Sequence, residues 1–223
     1  MPRALASWYL ALMARAPSFC GVILAAGESS RMGRDKALLP WPPQGPQPRI
    51  AHTETFLSAN IHLLEAHSDL VLVVAGKNAP NLAPLVYATS AFLVVNPAPE
   101  RGQFSSLQEG LREVLNRGRD AAVVTLVDRP PVRSATLTQL RAAFAEATTQ
   151  EKWAVIPQYG DKHGHPVLIG REMIEAFLRA PLTANAREIE HQQRQRIVYL
   201  PVDDPHATLN VDTPEDYARL QHA

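Results

Sequence analysis

The sequence predicts an α/β fold: a single-domain, three-layer α/β/α sandwich around a mostly parallel sheet. Two observations carry that expectation. Short apolar runs of strand length, such as 22–25, 70–75, 92–95 and 121–127, alternate with stretches whose apolar residues recur every three or four positions. Strands alternating with helices build parallel sheets covered on both faces. Gly27, Asn96 and Asp128 each fall just past the end of a strand-like run, and ligands of open α/β sheets sit beyond the carboxyl ends of the strands.

Along the chain, residues 1–18 read as a variable N-terminal extension and 19–223 as the domain. Ala4 to Met13 is moderately apolar but short, with Arg15 close behind, and no run is long enough to span a bilayer. Val22–Ala25 is the first strand. Pro40–Pro48 is proline-dense and reads as an extended, polyproline-like connector. Leu57, Ile61 and Leu64 mark an amphipathic helix, Leu70–Ala75 a buried strand stopped by Gly76, and Leu82–Tyr87 a short helix.

Phe92–Val95 is the third strand, and Asn96–Ser106 a loop. Ser106 and Glu109 have capping-box spacing ahead of a helix bearing Leu107, Leu111, Val114 and Leu115. Ala121–Val127 is a strand halted by Asp128-Arg129-Pro130-Pro131, and Leu137, Leu140 and Phe144 mark the next helix. Strands at Ala154–Ile156 and Pro166–Ile169 flank a polar turn at Tyr159–His163. Helices follow around Ile174–Leu178 and Asn185–His191, then a strand at Ile197–Val202. Thr213-Pro214, with Asp216 three residues after the threonine, opens a last helix.

Bulk properties narrow the chemistry. The 223 residues carry 22 Lys plus Arg against 22 Asp plus Glu, a formal net charge of zero. Nucleic-acid and membrane-surface binders depend on a summed positive field, so neither partner is expected, and any bound anion must be held by a local cluster. The single cysteine, Cys20, permits neither an intrachain disulfide nor a thiolate metal site, and reads as a buried small side chain. The cysteine count fits a reducing cytoplasm.

The most informative stretch is Gly21 to Lys36. A strand breaks into a loop of small residues, then Arg31, Arg34 and Lys36 follow within six positions. Small residues let backbone N–H groups approach an anion, and the cations would neutralise a polyphosphate. Gly27 and Gly33 do not fit a Walker A loop, since Arg34 follows where Lys-Ser or Lys-Thr would stand, and G-x-G-x-x-G is absent from the stretch. Asp128, ending an apolar strand, is placed to hold Mg²⁺ against phosphate oxygens, or else to cap a turn. Asn210 and Asp212 lie one strand period apart, so they share a face and can add oxygen ligands, or else Asp212 only favours the N-terminus of the helix that follows. His163 and His165 lie on one side of an extended segment. With no third zinc ligand evident, contact with a second substrate or a plain surface role is expected.

Leu24 through Lys36 match L-A-A-G-x-S-x-R-M-G-x-x-K, and so the chain resembles the MobA-like nucleotidyltransferase family. Further matches run from about residue 20 to 220: Asn96…Gly102…Ser105-Ser106-Leu107…Gly110-Leu111, Asp128-x-Pro130, Gly164-His165-Pro166-Val167-Leu168 and Val211-Asp212-Thr213-Pro214-Glu215-Asp216. The resemblance implies a Rossmann-like fold of the nucleotide-diphospho-sugar transferase type. Ala26, where guanylyltransferase relatives tend to have a second glycine, is similar to the cytidylyltransferase branch and implies CTP.

It further implies a Mg²⁺-dependent transfer of a nucleotidyl group to a phosphate acceptor of molybdopterin type, with release of pyrophosphate. Leu24, Ala25, Ala26, Gly27, Asn96, Gly102, Ser105 and Ser106 would border the nucleotide, and Arg31 and Lys36 would bind the triphosphate. Asp128, Asp212 and Asn210 would hold the metal, and Gly164 and His165 would face the acceptor. Transient contact with a molybdoenzyme is a further implied partner. The chain departs from the family pattern in its long proline-rich insertion, in Arg129, and at Leu182–Arg187, where Gly-Asp and a further Gly are usual. The alternatives are a guanylyltransferase, a sugar- or polyol-phosphate nucleotidyltransferase, or a non-catalytic nucleotide-binding maturation partner.

Overall fold

The computed structural model describes residues 18–43, 54–181 and 183–220. The N-terminal extension up to residue 17, the proline-rich connector from 44 onward and Leu182 therefore lie outside the described residues.

The strand β1 (Phe19–Leu24) lies in the interior of an eight-stranded sheet. It pairs in parallel with β4 (Leu70–Ala75) and with β6 (Ala121–Leu126). Between these come a minor ribbon of β2 (Pro40–Trp41) and β3 (Glu54–Thr55), the helix α1 (Phe56–Glu65), α2 (Ala79–Tyr87), the edge strand β5 (Phe92–Val95) and α3 (Gln103–Asn116). After β6 follow α4 (Ser134–Thr149), β7 (Ala154–Tyr159), β8 (Lys162–His163), β9 (Val167–Gly170), α5 (Arg171–Arg179), α6 (Ala186–Gln192), β10 (Ile197–Pro201) and α7 (Pro214–Arg219). The strand order is β10-β7-β9-β6-β1-β4-β5, with β8 hydrogen-bonded to β7.

Side chains alternate across the strands and feed two apolar layers. Ile23, Val73 and Val123 face Leu57 and Ile61 of α1, Leu82 of α2 and Leu137 of α4. Val22, Val74 and Val124 face Leu111 of α3, Met173 and Phe177 of α5 and Ile189 of α6. The runs read as fully apolar because both faces are covered. The three layers match the expectation.

Strand β9 is antiparallel to both β6 and β7 within the mostly parallel sheet, because the few residues joining it to β7 through β8 make a hairpin-length connection rather than a crossover. One local expectation needs correction: the Ser106–Glu109 capping box does not form. Helix α3 begins at Gln103, with Gly102 as its cap residue, which puts both serines inside the helix, where they bond to Asn96.

Candidate active site

The loop after β1 is pinned at its ends and open along its middle. Ala25 spends its amide on Val74 O (2.8 Å) and its carbonyl on Asn78 Nδ2 (2.9 Å), and its methyl packs in the core. Of the predicted nucleotide-border residues, Ala25 thus presents no free backbone group to a ligand. From Ala26 to Arg31, no backbone N–H finds a partner among the described residues. Consecutive unpaired donors of this kind form an anion-binding concavity. Ser29 sits in the left-handed region at φ 50° and Gly33 at φ 71°, which turns the chain back on itself. Met32 anchors the return in a small cluster with Leu39, Phe56, Val211 and Tyr217.

The turn ends at Lys36, whose amide donates to Ser29 Oγ at 3.1 Å. Its side chain is largely buried and crosses the sheet end. Lys36 Nζ donates to Asp212 Oδ1 at 2.6 Å and lies 3.4 Å from Asp128 Oδ2. Arg31 Nη2, on a mostly exposed side chain, meets the same Asp212 oxygen at 3.1 Å. Loop cations and the two carboxylates thus converge, although 92 and 176 positions separate Lys36 from its two partners.

The carboxylates are held by backbone. Val211 N donates to Asp128 O at 2.9 Å, tying the two loops together. Asp216 Oδ2 accepts from the amides of Asp212 (3.0 Å) and Thr213 (2.9 Å), and those bonds, the Asp212 amide foremost, lower the Asp216 pKa. Arg129, the family departure, donates from Nη1 to Leu209 O at 3.1 Å, and so braces the segment leading to Asp212. Burial lowers its pKa, while Asp128 and Asp212 act to raise it. Asn210 and Asp212 lie on no strand, yet Asn210 Nδ2 donates to Asp212 Oδ2 at 2.6 Å. Asn210 therefore turns its amide nitrogen toward Asp212.

A divalent metal fits this donor set. Asp128 Oδ1 is buried with no hydrogen-bond partner among the described residues, a costly state for a carboxylate oxygen. Hard oxygen donors suit Mg²⁺, which takes few protein carboxylates and completes its shell from substrate and water. No cluster of three or more His, Cys, Asp or Glu side chains is arranged for a metal among the described residues, so a zinc-type cage is not built here.

Two cavities flank the loop. One, of about 430 Å³, is lined by Leu24, Ala26, Gly27, Gly102 and Ser106, together with Glu100. Gly76 lets its walls meet, since a Cβ there would lie 2.9 Å from both Ala26 O and Pro99 Cβ. Asn96 is buried, with its Nδ2 donating to Ser105 Oγ and Ser106 Oγ at 2.9 Å each, so it braces this wall from behind.

The second cavity, of about 530 Å³, shares Leu24 and Gly102 and runs over Leu126, Val167 and Phe177 to His165, Arg187 and Glu190. His165 Nδ1 is sealed from solvent and unpartnered among the described residues. Burial, and secondarily Arg129, push the His165 pKa down to about 3, so the ring is neutral at physiological pH. Gly164 is needed for packing, since a Cβ would come 2.0 Å from Ala207 O. His163 diverges from its neighbour and stacks on Tyr199, with ring centroids 3.9 Å apart, so the two histidines share no ligand. Sequence reasoning passed over Asn78 and Asp35, whose side chains bond to each other at 2.7 Å beneath the loop. An asparagine at a helix start was the only local signal for the first.

A mostly parallel sheet with an inner strand that ends in a donor-rich loop, opposite two carboxylates, defines a protein of the nucleotide-transferring α/β class. Residues 21–198 match the MobA-like NTP transferase domain, and the chain belongs to that family. It is 28% identical over 215 residues to a probable molybdenum cofactor guanylyltransferase of Mycobacterium avium (strain 104), covering 95% of this chain and 99% of that one. It is 23% identical over 201 residues to the molybdenum cofactor cytidylyltransferase of Escherichia coli (strain K12), covering 88% and 92%. The crystal structure of Rv0371c from Mycobacterium tuberculosis H37Rv superposes with a TM-score of 0.75 at 28% identity, over 92% of this chain and 99% of that one. The same protein has been solved in complex with manganese, and superposes there with a TM-score of 0.71 at 26% identity, over 92% and 99%. The fold is the Rossmann-like nucleotide-diphospho-sugar transferase type. No helix among the described residues is long and apolar enough to cross a membrane.

Proposed function

We propose that the chain transfers CMP from CTP to a terminal phosphate of a molybdopterin-type acceptor, releasing pyrophosphate. The observation that carries this reading is the meeting of unpaired loop amides, Arg31 and Lys36 with Asp128 and Asp212 at one sheet end. An acceptor phosphate oxygen attacks the α-phosphorus in line. The bond to the β-phosphate oxygen breaks, and its electron pair leaves with pyrophosphate. Such chemistry requires positioning and charge neutralisation rather than a covalent enzyme intermediate.

The amides of Ala26 to Arg31 receive the phosphates, and Arg31 and Lys36 offset the charge of the departing pyrophosphate. Asp128 and Asp212, with Asn210 beside them, are the groups that would hold Mg²⁺. When bound, the ion supplies charge stabilisation on the phosphoryl oxygens. The smaller cavity takes the base between Ala26 and Gly102, with Ser106 on its wall. The larger one takes the acceptor against neutral His165, with Arg187 at its side.

Ala26, which lines the base cavity where guanylyltransferase relatives tend to have a second glycine, supports CTP. The names of relatives such as the M. avium protein favour GTP instead, so guanylyl transfer is the second reading. Pyrophosphate release, measured with each NTP in turn and a molybdopterin acceptor, tests the proposal. CTP-dependent release supports it, GTP-dependent release moves it to the second reading, and no release with any NTP overturns both.

A further inference from the structure

Asn78 occupies the cap position ahead of α2 but makes no side-chain bond to that helix. An asparagine there ordinarily accepts from the first turn of its own helix. Here the side chain is turned under the loop instead. Its Nδ2 donates to Ala25 O at 2.9 Å and to Asp35 Oδ2 at 2.7 Å, while its Oδ1 accepts from Gly76 N at 3.1 Å. One amide group thus grips the first and last residues of the loop whose middle carries the unpaired donors. Asp35 passes the constraint onward, because its Oδ1 accepts from Ala37 N at 3.0 Å and caps the short turn that begins with Lys36. The strand-to-helix connection also passes under the loop at the limit of backbone approach, with the ideal Cβ of Gly76 only 2.9 Å from Ala26 O.

We infer that Asn78 is a positioning residue for nucleotide binding: its amide clamps both ends of the loop so that the loop amides and Lys36 stand at a fixed separation. The inference rests on the nucleotidyltransferase reading. It separates from a helix-capping role through one substitution. Aspartate caps helices as well as asparagine does, so Asn78→Asp would be silent if Asn78 served α2. As a clamp it fails, since a carboxylate cannot donate to Ala25 O and would face the carboxylate of Asp35.

The test is titration calorimetry of CTP and of GTP with Mn²⁺ against wild type, Asn78→Ala and Asn78→Asp, with thermal unfolding in parallel. The clamp predicts about tenfold weaker binding of the better-bound nucleotide in Asn78→Ala, the loss expected of a hydrogen bond of this kind. Asn78→Asp is expected to bind at least as weakly, and both variants to unfold within a few degrees of wild type. Wild-type affinity in Asn78→Asp overturns the clamp, as does wild-type affinity in Asn78→Ala. A wild-type chain that binds neither nucleotide overturns the nucleotidyltransferase reading itself, and the inference with it.

Discussion

Lys36 Nζ and Asp212 Oδ1 lie 2.6 Å apart, and the same ammonium is 3.4 Å from Asp128 Oδ2. The lysine proposed to bind phosphates thus stands between the two carboxylates proposed to bind metal. On the proposed reading, a divalent ion arriving alone would compete with Lys36, whereas a triphosphate would draw Lys36 toward itself and leave the carboxylates to the ion. Metal and nucleotide would then assist each other, and the assistance would be reciprocal. Lys36→Met, which keeps length and loses charge, is predicted to tighten Mn²⁺ binding in the absence of nucleotide by about tenfold or more. Calorimetry with Mn²⁺ alone reads this, and unchanged or weaker affinity would contradict it.

In the proposed reaction, turnover depends on the same groups. Asp128→Asn and Lys36→Ala are each predicted to lower kcat by about 10²–10³-fold, roughly 2.7–4 kcal/mol, the size seen when one preorganised electrostatic group is removed. Steady-state pyrophosphate release measures it, with circular dichroism confirming the fold. Near-wild-type kcat in both would remove Asp128 and Lys36 from the reaction.

Gly164 answers to packing before it answers to any acceptor. Its added methyl would stand 2.0 Å from Ala207 O, a backbone atom that cannot swing aside. Gly164→Ala is expected to destabilise the fold by on the order of 3 kcal/mol, the range of overpacking a tight core. A denaturant midpoint equal to wild type would show that the segment relaxes freely.

Neutral His165 predicts a pH dependence of stability. Its pKa is depressed from 6.5 in the unfolded chain to about 3 in the folded one. Between those values the unfolded chain binds the extra proton, so stability falls as pH drops below about 6.5 and stops falling near 3. Discounted for its partial exposure, the contribution is on the order of 1 kcal/mol at pH 5. His165→Gln is expected to lose less thermal stability than wild type between pH 7 and 5. An equal loss in both would mean that His165 is solvated in the folded protein.

Burial also pushes the Cys20 thiol up to about 12, and thiolate is the reactive form. Native protein is expected to react with a disulfide reagent only on the timescale of unfolding. Rapid, stoichiometric modification of the folded chain would contradict that burial.

Much of the fold was legible because the sheet is covered on both faces. Leu70–Ala75 stands out as an apolar run for that reason, whereas the edge strand Phe92–Val95 is exposed at both ends and is read from its apolar composition alone; the predicted bounds of both coincide with the strands. Pattern could not show the direction of β9, since four apolar residues read alike in either orientation. The start of α3 was missed because Ser106 imitates a cap while its hydroxyl is engaged by Asn96, ten residues back. The loop cations and Asp128 were readable from one motif and one strand end. The Asn78–Asp35 contact joins positions 43 apart and leaves no spacing signal. The same holds for Arg129, whose value lies in reaching Leu209 O, 80 residues on.

The most direct measurement is a crystal structure with a non-hydrolysable CTP analogue and Mn²⁺. The account predicts phosphates against the amides of Ala26 to Arg31, Lys36 Nζ moved onto phosphate oxygen, and the ion on Asp128 and Asp212. Phosphates bound away from that loop, with Lys36 still on Asp212, would contradict it.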